Sequence, residues 1–155
     1  GQDMERYEGI QMIKTFRGTL LDGAEERIRL STKKGKIGYR IIKFQVMASN
    51  PITTSAEHIC KIFKVSQSSV TSVVDFSDGN LLAVALFIHN DNYANTQTQV
   101  IFEKEVFNQD VFITHDTGAG SDPLSYYLEL EAFTMTDNAA AVSTLRDVRA
   151  QPEPV

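Results

Sequence analysis

The sequence predicts an all-β fold: an antiparallel β-sandwich, jelly-roll-like, of about eight strands with one short C-terminal helix. Three observations predict it. Apolar and polar residues alternate through a series of short segments, as in strands with one buried face. Turn signals (Asp22-Gly23, Asn50-Pro51, Ser77-Asp78-Gly79-Asn80, and a Gly/Ser/Asp/Pro run over 117–123) separate them. Only one stretch, near the end, changes to helical spacing. Strands without intervening helices have only each other's apolar faces to cover, so stacked sheets are the expected outcome.

Residues 1–9 are polar and are expected to form a flexible arm, with a single domain over 10–150. A first strand runs from Ile10 to Leu21, interrupted at Gly18, and a second from Glu26 to Leu30. The basic turn at 31–36 then joins this second strand to a third in an expected hairpin. In that third strand, Ile37 to Ser49, the alternation puts Ile42, Phe44, Val46 and Ala48 on the inward face, with Arg40 on the same parity at the solvent end. Asn50-Pro51 stops it, because proline cannot donate to a ladder. His58 to Val65 alternates next, and residues 66–73 are either one helical turn or a loop. LLAVALFIH (81–89) is apolar on both parities, which places it inside a sheet or under the helix. After a polar loop at 91–97, strands follow over 100–107 and 111–115.

The final strand carries the clearest pattern. Tyr126, Leu128, Leu130 and Ala132 fall on one side and Tyr127, Glu129, Glu131 and Phe133 on the other. From Asp137 the period changes. Val142, Leu145 and Val148 recur every three residues, a stripe expected either to pack on the sheet or to contact another copy. The tail 151–155, with Pro152 and Pro154, is expected to be disordered.

Charge is uneven along the chain. Residues 1–64 hold 12 Lys/Arg against 7 Asp/Glu, and residues 65–155 hold 3 against 13, within a net charge of −5. Either the two signs line different edges of one molecule, or copies attract head to tail. A single cysteine, Cys60, excludes an intramolecular disulfide, so packing must supply stability. No apolar run reaches bilayer-spanning length, and no membrane partner is expected.

The motifs that suggest chemistry each have a plainer reading. Asp116-Thr117-Gly118-Ala119 resembles the active-site turn of retroviral-type aspartic proteases. Only 39 residues follow Asp116, too few to build the second carboxylate and its sheet, and His115 departs from the pattern. Asp116 and Asp122 alternate with glycines in the spacing of a Ca²⁺ loop, but two carboxylates are too few ligands. His58, His89, His115 and Cys60 lack zinc-site spacing, and no nucleophile elbow or phosphate loop is present. Lys33, Lys34, Lys36 and Arg40 form a candidate basic patch, yet an acidic chain disfavours nucleic acid as a partner. With no Trp, only Tyr93 and the Tyr126-Tyr127 pair offer rings to a sugar. Neither catalytic residues, metal ligands nor cofactors are assigned. The candidate contacts are the loop residues Asp91, Tyr93, Asn95, Asp116 and Asp122, the basic patch, and the helix stripe.

Three segments carry a resemblance: GKIGYRIIKFQVMASNP (35–51), VVDFSDGNLLAVALF (73–87), and FNQDVFITHDTG with YYLELEAFTMTDNAAAVSTLRDVR (107–149). Together they resemble small, mostly uncharacterised proteins encoded in marine tailed-phage genomes. The resemblance implies a virion-associated β-sandwich, a capsid decoration or minor structural component, located in the virion and in host cytoplasm during assembly. Its partners would be other virion proteins or its own copies, as a homo-oligomer. The alternative, from another class, is a ligand- or receptor-binding module reading glycan or protein through its loops.

Overall fold

The computed structural model describes residues 7–52, 55–89, 95–119 and 121–136, and all regular structure there is β. The strands are β1 (Tyr7–Leu20), β2 (Glu25–Ile28), β3 (Ile37–Ala48), β4 (Ala56–Phe63), β5 (Leu81–His89), β6 (Thr96–Ile101), β7 (Val111–Ala119) and β8 (Leu124–Met135). They form two antiparallel sheets in the orders β1-β8-β3 and β2-β7-β4-β5-β6. The inward faces of the two sheets share one core, so the sandwich expectation holds. The expected helix and its stripe, Val142, Leu145 and Val148, lie outside the described residues.

The β8 alternation appears as read. Leu124, Tyr126, Leu128, Leu130 and Ala132 are buried on the core side, between β1 on one edge and β3 on the other. β3 departs from the simple alternation. Its register against β8 shifts between Ile41 and Lys43, so Ile42 is an extra residue and the parity inverts there. Tyr39 and Ile41 therefore join Phe44, Val46 and Ala48 in the core, while Arg40 turns outward to the Glu131 carboxylate at 2.7 Å.

The second and third strands do not form the expected hairpin. β2 pairs with β7 in the five-stranded sheet and β3 with β8 in the other, so the basic turn crosses between sheets. Asp110, just before β7, holds that crossing. Its carboxylate accepts from the Leu30 and Ser31 backbone N–H groups (2.7 and 2.8 Å), the Ser31 hydroxyl (2.9 Å) and Arg27 Nε (2.7 Å). Burial opposes ionisation of Asp110, but these donors outweigh it and hold the carboxyl down at about 2. Tyr39 completes the join: its hydroxyl donates to the Leu30 carbonyl, and its backbone bridges Phe107 in both directions.

Other boundaries move too. β1 begins at Tyr7, inside the expected arm, and β6 at Thr96, inside the expected 91–97 loop. Phe107 makes an isolated bridge to Tyr39 rather than ending a strand. β7 runs on to Ala119, and 66–73 is loop, not helix. β5 does lie inside its sheet, between β4 and β6; outward, Leu81 and Val84 are covered by Phe63, Ile59 and Phe102.

Asp110→Asn is expected to cost about 2 kcal/mol at pH 7, measured by urea unfolding, because it leaves a cation, the buried Leu30 N–H and the half-buried Ser31 N–H with a weaker acceptor. In the native protein that contribution is complete above about pH 4 and is lost as the pH falls toward about 2.

Candidate functional site

Three features away from ordinary packing are candidates for function. The first is the outer face of the three-stranded sheet. Cross-strand pairing sets Arg17, Tyr127 and Gln45 in one row and Thr19, Ser125 and Met47 in the next. With Gln97 of β6 they line a trough of about 640 Å³. The Tyr127 hydroxyl donates to Glu129 at 2.7 Å and Lys43 Nζ lies 6.0 Å over its ring, so the ring is fixed rather than free. That hydrogen bond, more than the slight burial, raises the phenol above its ordinary range. Hydroxyls of Thr19, Ser125 and Ser49 stand 3.4 Å apart in sequence across the strands. Such a floor can hold a polar ligand by hydrogen bonds and a ring face, without any reactive group.

The second is uncovered apolar surface over the five-stranded sheet. In the 66–80 loop Val73 is 69% exposed and Phe76 57%, with Val74 and, on β6, Val100 also exposed. Phe76 meets Phe102 edge-on at 5.6 Å. Lys61 Nζ donates to the Val73 carbonyl at 2.6 Å, and its cross-strand neighbour Val84 pairs in turn with Val100. These side chains thus share one outer face. Lys61 is itself buried; burial lowers its ammonium below the usual range, against the pull of Asp116 and Asp78.

The third is a buried histidine pair on the inner face of β4 and β7. His58 Nδ1 and His115 Nε2 are 2.8 Å apart, with the rings stacked at 5.0 Å. His115 Nδ1 lies 3.1 Å from the carbonyls of both Leu20 and Leu21, at the corner where β1 turns toward β2. Carbonyls only accept, so Nδ1 of His115 carries a proton and, in the neutral ring, Nε2 accepts from His58 Nδ1–H. His58 Nε2 is then a bare lone pair, fully buried and without a partner among the described residues. Burial first, and then the neighbouring His115, hold His58 below the ordinary imidazole range, while Asp122 and Asp22 pull the other way. Cys60, beside His115 across the ladder, is fully buried, which pushes its thiol up.

No protein-family model and no curated protein matches the chain. Two solved structures give faint likenesses. One is of Drosophila NLP-core, described as giving insight into pentamer formation and histone binding: TM-score 0.46, 12% identity, 81% of this chain and 99% of that one. Another is a virus-like particle of extra small virus from the giant freshwater prawn Macrobrachium rosenbergii: TM-score 0.28, 11% identity, 83% and 86%. Likenesses of this order carry no function across.

The residues singled out from the sequence scatter. Asp91 and Tyr93 lie outside the described residues, and Asn95 is exposed just ahead of β6. Asp116 is not a loop residue: it sits in β7 on the outer face, opposite Ile59, where its charge acts on Lys61. Asp122 acts on the inward His58, so the two carboxylates of the supposed Ca²⁺ loop serve opposite sides of the sheet. Among the described residues no three acidic, His or Cys side chains gather as metal ligands, and no helix is long and apolar enough to cross a membrane. Lys33, Lys34 and Lys36 are exposed on their turn, which Asn108 holds by donating to the Gly35 carbonyl, but Arg40 is engaged by Glu131. Both members of the tyrosine pair border the trough, but Tyr126 is buried in the core and donates to Glu26.

Lys61→Met keeps the apolar stem and removes the tether to Val73. Global stability in urea is expected to change by less than about 1 kcal/mol, since burying a charge offsets much of its benefit. Limited proteolysis should cut the 66–80 loop several-fold faster, by about the equilibrium worth of one charged hydrogen bond.

Proposed function

We propose that the chain is a non-enzymatic structural or assembly protein of a bacteriophage virion, a capsid decoration or minor structural component acting through protein–protein contacts and self-association. The observation that carries this reading is the exposed apolar face formed by Val73, Val74, Phe76 and Val100; Met12 and Ile13 of edge strand β1 are exposed separately, on the other sheet. Grouped apolar side chains in water mark contact surfaces more often than isolated ones do. An edge strand with free N–H and C=O groups invites further pairing.

We also read the fold as a jelly roll. In an eight-stranded jelly roll the chain crosses repeatedly between two sheets, with first, eighth and third strands together and second, seventh, fourth and fifth opposite. The orders β1-β8-β3 and β2-β7-β4-β5 follow that rule, and β6 is the exception, on β5 rather than β3. Gln97 of β6 still donates to the Val46 carbonyl of β3 at 3.0 Å, which supports a sixth strand lying between the two sheets. Fold alone does not choose among the roles such domains serve.

Head-to-tail attraction by charge is the weaker route to assembly. Arg27–Asp110, Arg40–Glu131 and Lys64–Glu105 each join a cation of the first 64 residues to an anion of the rest, so part of the asymmetry is neutralised within one molecule. The second reading, a glycan- or receptor-binding module, is favoured by the trough beside Tyr127 and by nothing chemical beyond it.

Native mass measurement of the full chain is expected to give an oligomer that persists in about 0.5 M salt, where the Debye length is only a few ångströms. The double substitution Val73→Ser, Phe76→Ser should yield monomer, with stability within about 0.5 kcal/mol per exposed site. A monomeric native protein that is also absent from purified particles by mass spectrometry rejects the reading.

A further inference from the structure

The His58–His115 pair has an outcome under acid that follows from counting protons. The neutral pair holds two: one on His115 Nδ1 facing the Leu20 and Leu21 carbonyls, and one between the rings. A third has a single place to go, His58 Nε2, whichever ring is drawn as the cation. That atom is buried, and no described residue offers it an acceptor. A fourth proton would set two N–H groups against each other across 2.8 Å. Protonation therefore converts a tolerated lone pair into a buried charge with an unsatisfied donor, the costlier defect.

The pair ties down one defined part of the fold. Beyond its bonds to Leu20 and Leu21, the same corner is held to β7 by Gly23 N–H donating to the His115 carbonyl (2.8 Å), His115 N–H to the Ala24 carbonyl (3.1 Å), and Thr117 N–H to the Asp22 carboxylate (3.1 Å). Gly23 has φ +78°, a left-handed turn that the tie stabilises from outside. The groups facing His58 are His115 and Thr117 on β7, Phe87 on β5, Asp22 at the corner and Asp122 before β8. Only the two aspartates favour the cation, and neither contacts Nε2.

We propose that the His58–His115 pair is a proton-operated latch: neutral, it fastens the β1–β2 corner to β7, and one added proton releases that end of the sandwich while the rest stays folded. Its stabilising share is present above about pH 6.5, the ordinary imidazole value, and is lost as the pH falls through the lower folded value. A latch of this kind couples acidity to which end of the domain is available to a neighbour.

Amide exchange followed by NMR on the full chain at pH 7.5 and 5.0, corrected for intrinsic rates, tests it. The Gly23, His115 and Thr117 amides are expected to lose at least about tenfold more protection than the Tyr39 and Phe107 amides, a difference of about 1.4 kcal/mol. In His58→Gln, whose amide can still donate to His115 but cannot titrate, that difference should disappear. Uniform loss, no loss, or an unchanged response in His58→Gln each overturns the proposal. Should that variant not fold, the imidazole nitrogen spectrum of the native protein decides: both rings must be Nδ1–H at pH 7.5, and an Nε2–H ring at either position refutes the latch.

Discussion

The three-stranded sheet depends on β8 burying one face while pairing on both edges. Sliding β8 by one residue would exchange Leu128 and Leu130 for Glu129 and Glu131 in the core, replacing a gain of a few kcal/mol per side chain with the burial of two charges. The register is thus set by what cannot be buried as much as by what can. It also fixes where β8's outward carboxylates fall: Glu131 opposite Arg40, and Glu129 opposite Lys43. Arg40–Glu131 is half-buried and Lys43 is exposed, and surface pairs of this kind contribute little stability. Their effect is to favour this pairing over one that leaves the acidic strand beside another acidic strand, which makes the uneven charge of the chain a matter of strand selection.

Joining the two sheets raises a different problem, since each crossing leaves backbone groups away from water. Two of the crossings, β2–β3 and β1–β2, solve it with different chemistry. At the β2–β3 crossing Asp110 meets four donors from Leu30, Ser31 and Arg27, and this outweighs its desolvation over nearly the whole pH range. At the β1–β2 corner the side-chain partner of the carbonyls is an imidazole that itself leans on a second imidazole, and the outer atom of that chain has no partner among the described residues. A fully satisfied carboxylate is a permanent joint. A histidine relay with an open end is conditional on pH by construction.

These joints were the least legible part of the sequence. β8 could be read because Glu129 and Glu131 stand between Leu128, Leu130 and Ala132, which fixes the parity of the whole strand. β3 could not, because Ile41 and Ile42 are both apolar, so nothing local marks which of them is the inserted residue; only the partner strand does. Adjacency along the chain suggests a hairpin between β2 and β3, whereas at this turn the chain passes to the opposite sheet. Asp110 looked like one polar residue of a connection, since its donors come from a segment about 80 positions earlier. His58 and His115 each appear alone on a strand, 57 residues apart. Their shared inward parity with Cys60 and Ile113 was available as a signal, but that β4 and β7 lie side by side was not.

The exposed apolar residues of the 66–80 loop are not explained as failed packing. The sheet beneath them is already closed by Phe63, Leu81 and Val84 with Ile59 and Phe102, and the loop's own contribution to that cluster is the edge-on contact of Phe76. Meanwhile Lys61, a residue rarely buried without reason, donates to the Val73 carbonyl and so fixes the loop through its backbone. Holding the main chain leaves the valine and phenylalanine side chains outward but limits their freedom before any partner arrives. Surfaces ordered in advance lose less entropy on association, so a tethered apolar loop is a better contact than a free one of the same composition. The buried lysine thereby connects the interior of the sheet to the face through which this domain meets its neighbours in the proposed assembly.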